Sequence, residues 1–354
     1  MTTSQYSSVL VERPFVTRRL LRKLLVAACI LLITLGALEV AVRVWGYSER
    51  HIYDPIYTVF DRTGDIPYVH KPNLERARAR GLAVINTDSL GLRAKIAGAS
   101  YGAKQPNEFR IALVGDSFTF GEGIARTEDT FVQVLEDSLN QGQQAVTVKA
   151  FNFGASAYSV KEMAATLQYR MVDIQPDLVV MAIIPSDFNL ARTPAIDESG
   201  YLIDQRLSYW SPPGSMARQV VRGIHLTYVL RDIGVRWFFK RPDVGQVLAG
   251  GEIPETYMYV RQFKTTAEQR GVPYVIMLLP RVQQGTWGRV PDQLTRDNIT
   301  HIDLTFLGNK FTEEQYMASR FDPHPSPAVH HRIGETLADY VRHNQLKSSQ
   351  VQLN

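Results

Sequence analysis

Arg110-Ile111-Ala112-Leu113-Val114-Gly115-Asp116-Ser117-Phe118 decides the fold. An apolar run of strand length stops at a glycine, an acid and a serine. The chain therefore leaves a buried strand, predicted over residues 109–114, and turns with a hydroxyl at the strand's carboxyl end. Working outward, the pattern repeats. Strands are predicted over residues 146–151, 178–184, 271–279 and, more weakly, 300–304. Helical spacing appears over residues 127–140, 160–172, 254–270 and 328–343. The third strand is nearly all apolar, as expected where both faces are covered. Strict alternation of this kind predicts an α/β domain, a parallel sheet of about five strands with helices on both sides. In such sheets ligands sit beyond the carboxyl ends of the strands. Ser117, Gly154 and Asp187 each fall just past one of the first three strands.

A serine hydroxyl is a poor nucleophile at neutral pH unless a base takes its proton and a third group orients that base. Far downstream, Asp322-Pro323-His324-Pro325-Ser326 precedes the last helical pattern and supplies an acid and an imidazole on one loop. Acyl transfer or ester hydrolysis is the chemistry these residue types serve. Plainer roles exist for each: Ser117 as a helix N-cap, Asp322 as a cap of the final helix, His324 as a surface residue.

Three blocks in order resemble the SGNH/GDSL hydrolase superfamily: Gly115-Asp116-Ser117-Phe118, Asn152-Phe153-Gly154 and Asp322-Pro323-His324-Pro325. The likeness covers roughly residues 109–190 and 255–344. It implies a three-layer α/β/α, flavodoxin-like domain in which Ser117 is the nucleophile, His324 the general base and Asp322 its orienting carboxylate. It also implies an oxyanion hole drawn from the Ser117 N–H, the Gly154 N–H and a third donor. At that third place the superfamily carries Gly-x-Asn-Asp, whereas this chain has Ile184-Pro185-Ser186-Asp187, so Ser186 or the nearby Asn189 would have to donate. Asp322 lies two residues before His324, where three is commoner. The stretch Ile85-Asn86-Thr87-Asp88-Ser89-Leu90-Gly91-Leu92-Arg93, with a single N-terminal anchor, is similar to members associated with envelope polysaccharide.

The 354 residues are 45% hydrophobic with a formal net charge of +4, enough for one large core plus extensions. The basic excess clusters at Arg13, Arg18, Arg19, Arg22 and Lys23, ahead of a charge-free run over residues 24–38. That order reads as a membrane topology signal, not a nucleic-acid surface. It places the N-terminus in the cytoplasm and the domain outside, at the cell inner membrane; the alternative is a cleaved signal peptide. Glu39 and Arg43 lie four apart and pair on one helix face near the far interface, where Trp45 and Tyr47 anchor.

The expected organisation is a basic tail over 1–23, a transmembrane segment over 24–46, an irregular extension over 47–108, the catalytic domain over 109–344 and a tail over 345–354. An aromatic- and arginine-rich insertion occupies about 189–252, either a lid touching the membrane or an extra helix packed on the core. Cys29 is the lone cysteine, and no histidine shows metal-ligand spacing, so neither disulfide nor metal is expected. Gly121-Glu122-Gly123 is too short for a phosphate loop, and no cofactor is predicted. The expected partners are an acyl-ester substrate, which the resemblance implies is carried on a glycan, and the membrane, with no nucleic acid. The reading from another class is a catalytically inactive scaffold in polysaccharide assembly.

Overall fold

A computed structural model describes residues 18–81, 83–142, 146–190, 194–204, 215–238, 248, 253–281 and 287–346. The start of the basic tail, the Tyr209-Trp210 part of the insertion and the tail beyond Leu346 lie outside the described residues. Five parallel strands form the central sheet: β1 (Glu108–Val114), β2 (Thr147–Asn152), β3 (Leu178–Ile183), β4 (Tyr274–Leu278) and β5 (His301–Asp303). Their spatial order is β5-β4-β3-β1-β2. That is the flavodoxin-like 2-1-3-4-5 order, with its switch point between β1 and β3, where such sheets open a ligand crevice. Every residue of β1 and β3 is buried, which explains the unbroken apolar run of β3 and of residues 111–114 in β1; the charged Glu108 and Arg110 at the start of β1 pair with each other at 2.9 Å.

Helices Val160–Tyr169 and Met258–Gln269 pack together on one face of the sheet, and Phe131–Leu139 and Pro327–Val341 on the other. The domain is thus the three-layer α/β/α architecture expected. Boundaries differ from the sequence reading by a few residues because helix ends are finished by 3₁₀ turns, as at Thr127–Asp129 and Met171–Ile174.

The extension over 47–108 is more ordered than its sequence predicts. Tyr57–Val59 pairs with Tyr68–His70, and Ala77–Arg78, Val84–Thr87 and Arg93–Ala94 form a three-stranded ribbon. Runs of two to four residues are too short to show a period. They are held by buried Ile66, Tyr68 and Ile85 packed on the main core. Asp88 Oδ1 accepts from the Leu90 and Leu92 N–H groups at 2.8 Å each, fixing a turn that delivers Arg93 into the domain.

Two buried histidines make the fold acid-sensitive. His70 stacks on Phe120 with ring centroids 4.2 Å apart. His330 accepts through Nδ1 from the Phe131 N–H at 3.0 Å. Burial first, then nearby Arg170 and Arg93 for His70 and Arg93, His324 and His331 for His330, push both imidazoles down to about 3. Both are therefore neutral when folded, whereas an unfolded histidine titrates near about 6.5. Stability from these groups is complete above that value and is lost as pH falls toward 3, at about 1.4 kcal/mol per pH unit for each. Urea unfolding from pH 7 to pH 4.5 should show this slope, and His70→Phe combined with His330→Gln should flatten it.

Helix Arg18–Trp45 extends away from the domain with almost all of its apolar side chains exposed. Its 28 residues span about 42 Å, longer than the ~30 Å hydrocarbon core of a bilayer. Its last turns are docked. Glu39 accepts from the His225 and Leu226 N–H groups at 2.9 and 2.8 Å, capping helix His225–Phe238. Arg43 pairs with Glu39 at 2.8 Å, as expected, and also donates to the Gly223 carbonyl at 2.8 Å.

Candidate active site

Strand β1 delivers the chain to Gly115, and Asp116 caps the short helix Ser117–Phe120, its Oδ1 accepting from the Phe118 N–H at 2.9 Å. The acid before the serine takes the capping work, so the Ser117 hydroxyl is not the N-cap and is left for another partner. That partner is His324, whose Nε2 lies 2.9 Å from Ser117 Oγ. The two residues are 207 apart in sequence.

His324 Nδ1 lies 2.5 Å from Asp322 Oδ1, the same oxygen that accepts the His324 backbone N–H at 3.2 Å. This double use of one carboxylate oxygen is what makes the two-residue spacing work. The strand-like Asp322–Pro325 folds the acid back onto its own imidazole. A carboxylate only accepts, so Nδ1 donates to Asp322, and Nε2 is the ring nitrogen that faces Ser117 Oγ. Burial pushes the Asp322 carboxyl up. The hydrogen bond and charge of His324, with the more distant Arg80, more than offset this and hold it below the usual range. The final helix begins at Pro327 with Ser326 at its cap position, so Asp322 does not cap it. Ser117, His324 and Asp322 are thus brought together.

The oxyanion donors are placed less simply. Gly154 is buried, and a Cβ there would meet the Phe120 backbone N at 2.4 Å, so glycine is needed for packing behind the serine. Its N–H is engaged by Asn152 Oδ1 at 3.0 Å, while Asn152 Nδ2 donates to the Thr119 carbonyl at 2.8 Å. Three residues on, Ala157 adopts φ +64, a left-handed conformation that costs a residue bearing Cβ about 1–2 kcal/mol. No hydrogen bond from the Ala157 N–H is present among the described residues. Ser186 sits buried in the 3₁₀ turn Pro185–Phe188 at the end of β3, and Asp187 Oδ2 braces that turn by accepting from the Ile184 N–H at 2.8 Å. Asn189 follows, its N–H donating to the Ser186 carbonyl at 3.1 Å.

Sequence reasoning missed a second carboxylate. Glu122 Oε2 lies 3.3 Å from His324 Nε2 and accepts from Arg80 Nη1 at 2.9 Å. Its Oε1 accepts from Ser156 Oγ, which in turn accepts from the Tyr57 hydroxyl at 2.9 Å. Arg80 and Tyr57 both come from the extension, which therefore completes the wall of the site. The glycines around Glu122 carry the only sequence signal. Gly121 and Gly123 have φ +84 and +77, and a Cβ on Gly123 would meet Asp322 Oδ2 at 2.8 Å. The Gly-Glu-Gly triplet is the turn that seats the Asp322 carboxylate. Among the described residues no group of three or more His, Cys, Asp and Glu could hold a metal.

No protein-family model matches the chain, and no curated protein matches it. Solved structures do match. The chain is similar in fold to G-D-S-L hydrolases. A member of the lipolytic protein G-D-S-L family from Veillonella parvula DSM 2008 is 13% identical over 67% of this chain and 99% of its own, with a TM-score of 0.38. The lipase/acylhydrolase from Enterococcus faecalis is 14% identical over 66% and 95%, with a TM-score of 0.36. A two-domain esterase active on acetylated mannans, co-crystallised with mannopentaose, is 9% identical over 66% and 50%, with a TM-score of 0.40. At this distance the likeness concerns the fold alone and carries no residue's role.

Proposed function

We propose that this chain is a membrane-anchored serine esterase of the SGNH type, acting on acyl esters, with acetyl esters of envelope carbohydrate as the favoured class. The observation that carries the reading is the hydrogen-bonded series Ser117–His324–Asp322, assembled from two distant loops at the carboxyl edge of a parallel sheet. Ser117 Oγ attacks the ester carbonyl as His324 Nε2 takes its proton. The resulting imidazolium lies between Asp322 on Nδ1 and Glu122 at 3.3 Å from Nε2. The proton then goes to the departing alkoxide, leaving acyl-Ser117. Water attacking that intermediate gives hydrolysis, and a sugar hydroxyl gives transfer by the same steps in reverse.

For the oxyanion we assign the Ser117 and Ala157 N–H groups, with the Ser186 hydroxyl as the third donor. The strained Ala157 backbone and its available N–H favour it over Gly154. Residues 24–46 are assigned to the membrane, 47–108 to an extension that closes the site, and 109–344 to the catalytic domain. The caps that Glu39 and Arg43 supply to folded helices favour a retained anchor over a cleaved leader, because cleavage would strip those ends of their partners. With the N-terminus cytoplasmic, the domain lies on the outer face of the inner membrane.

A second reading, an inactive glycan-binding scaffold, draws support from Ser186 standing where an Asn amide would reach further. Assay of the purified full chain with a chromogenic acetyl ester separates the two. Ser117→Ala should reduce kcat/KM by about 10³-fold or more. Equal, slow turnover by both proteins would remove the esterase reading.

A further inference from the structure

The anchor is not joined to the domain by a loose tether. Trp45, the last residue of the apolar helix, stacks on Tyr47 at 5.1 Å between ring centroids. Both rings pack on Phe321, at 5.2 and 5.4 Å. Phe321 immediately precedes Asp322, so the loop carrying the acid and the base is seated on the end of the membrane helix. On another side, Glu39 and Arg43 grip the turn between helices Ser215–Gly223 and His225–Phe238, and the Tyr47 hydroxyl donates to Asp232 Oδ2 at 3.0 Å. That turn and the helix before it expose Ile224 and Val220 beside the last apolar turns of the anchor.

These contacts fix the domain against the end of the apolar helix. With 5.2 Å between the Trp45 and Phe321 rings and about 3.8 Å between adjacent Cα atoms, Asp322 lies within roughly 13 Å and His324 within roughly 20 Å of the Trp45 ring; an aromatic at the end of a spanning helix would sit at the level of the headgroups. A flexible linker of tens of residues would let a site sample the space above the membrane. This docking forbids it.

We infer that the Ser117–His324–Asp322 site takes its ester from an amphiphile resident in the bilayer, an O-acyl headgroup carried on a lipid tail, delivered by lateral diffusion to a site held at the membrane boundary. The inference builds on the esterase reading and on the retained anchor, and it names the class of substrate that this geometry admits. A soluble ester must find the site from bulk water. A lipid-borne one is confined to the layer in which the site lies, which raises its effective concentration.

The test uses the full chain in nanodiscs of phosphatidylethanolamine and phosphatidylglycerol. In one arm a fluorophore is placed on native Cys29 or, in a Cys29→Ser background, on Arg320→Cys beside Phe321 or on Glu268→Cys at the opposite edge of the sheet. Spin labels deep in the acyl chains should quench the Cys29 probe. Headgroup spin labels should quench the Arg320→Cys probe and leave the Glu268→Cys probe bright. If the Cys29 probe is not quenched, the anchor reading falls and the inference with it. If the Cys29 probe is quenched but the Arg320→Cys probe is not, the domain stands off the membrane and the inference alone is overturned.

The second arm compares dodecyl 6-O-acetyl-glucoside in the nanodisc with methyl 6-O-acetyl-glucoside in solution. The lipid-borne ester should have at least a tenfold higher kcat/KM. Glu39→Gln combined with Arg43→Gln should erase that preference while leaving turnover of a soluble acetyl ester within twofold. Equal kcat/KM for the two glucosides would overturn the inference, and absence of turnover on every ester would instead count against the esterase reading.

Discussion

Asp322→Asn is expected to lower kcat/KM by about 10³–10⁴-fold while leaving the fold intact. The side chain keeps its size, and its amide oxygen can still accept one N–H of His324. What it loses is the charge. Asp322 Oδ1 now accepts from both His324 Nδ1 and the His324 backbone N–H. An amide placed there can present its NH₂ to Nδ1, which selects the tautomer with the proton on Nε2, facing Ser117. A protonated Nε2 cannot act as base. The substitution also removes one of the two carboxylates flanking the imidazolium, leaving Glu122 alone. Steady-state kinetics with a soluble acetyl ester, with circular dichroism as the fold control, measures this. A loss of tenfold or less would mean that Asp322 only positions the loop.

Arg93→Met is expected to be the most destabilising single change outside the triad, by about 3–5 kcal/mol. Arg93 is buried, and burial pushes its guanidinium down to about 10. Among the described residues no carboxylate forms an ion pair with it, and Glu128 and Asp129 act only at longer range. The charge is held by carbonyl dipoles: Nη1 donates to Gly121 at 2.6 Å and Phe120 at 3.3 Å, and Nη2 to Ile124 at 2.7 Å. Nε reaches Thr127 Oγ1 at 3.3 Å, and the group lies 5.5 Å over the Phe120 ring. Methionine fills a similar volume but leaves those carbonyls without donors. They belong to the turn that follows the Ser117 helix and carries Glu122. Unfolding should therefore shift to lower temperature by about 6–20 °C. The folded fraction should also lose turnover as the turn relaxes. Arg93→Lys should recover only part, because an ammonium cannot serve three divergent carbonyls from one point. A shift under 2 °C for the methionine variant would mean that water replaces the guanidinium.

The parts of this molecule that a reader of sequence can recover are those written locally. The five sheet strands announce themselves by apolar runs ending in turn residues, and alternation gives a parallel sheet, while the strand order comes from the structure. Ser117, Asp322 and His324 were legible because each sits in a short block at a strand end. The plainer role for Ser117 is excluded only by structure, because it depends on Asp116 capping the helix instead. Gly154 illustrates the limit: the resemblance marks it as a donor, but its N–H is engaged by Asn152, and the residue with positive φ nearby is Ala157. A positive φ at alanine leaves no mark in composition.

Glu122 and Arg80 were invisible for a different reason. Their meaning comes from contacts between the extension, the turn after Ser117 and the histidine loop, which share no sequence periodicity. The extension itself folds in strands too short to show a period. Glu39 and Arg43 were read as a pair and are one. Their second task, capping helices some 180 residues away, follows only from the tertiary structure.

Reaction of the purified full chain with a fluorophosphonate probe, followed by peptide mass spectrometry, tests the whole account most directly. A serine hydrogen-bonded to the His324 imidazole should form one stoichiometric adduct on Ser117, and His324→Ala should abolish it while circular dichroism stays unchanged. A folded native chain that takes up no label, or takes it on another serine, would contradict the assignment of Ser117 as nucleophile.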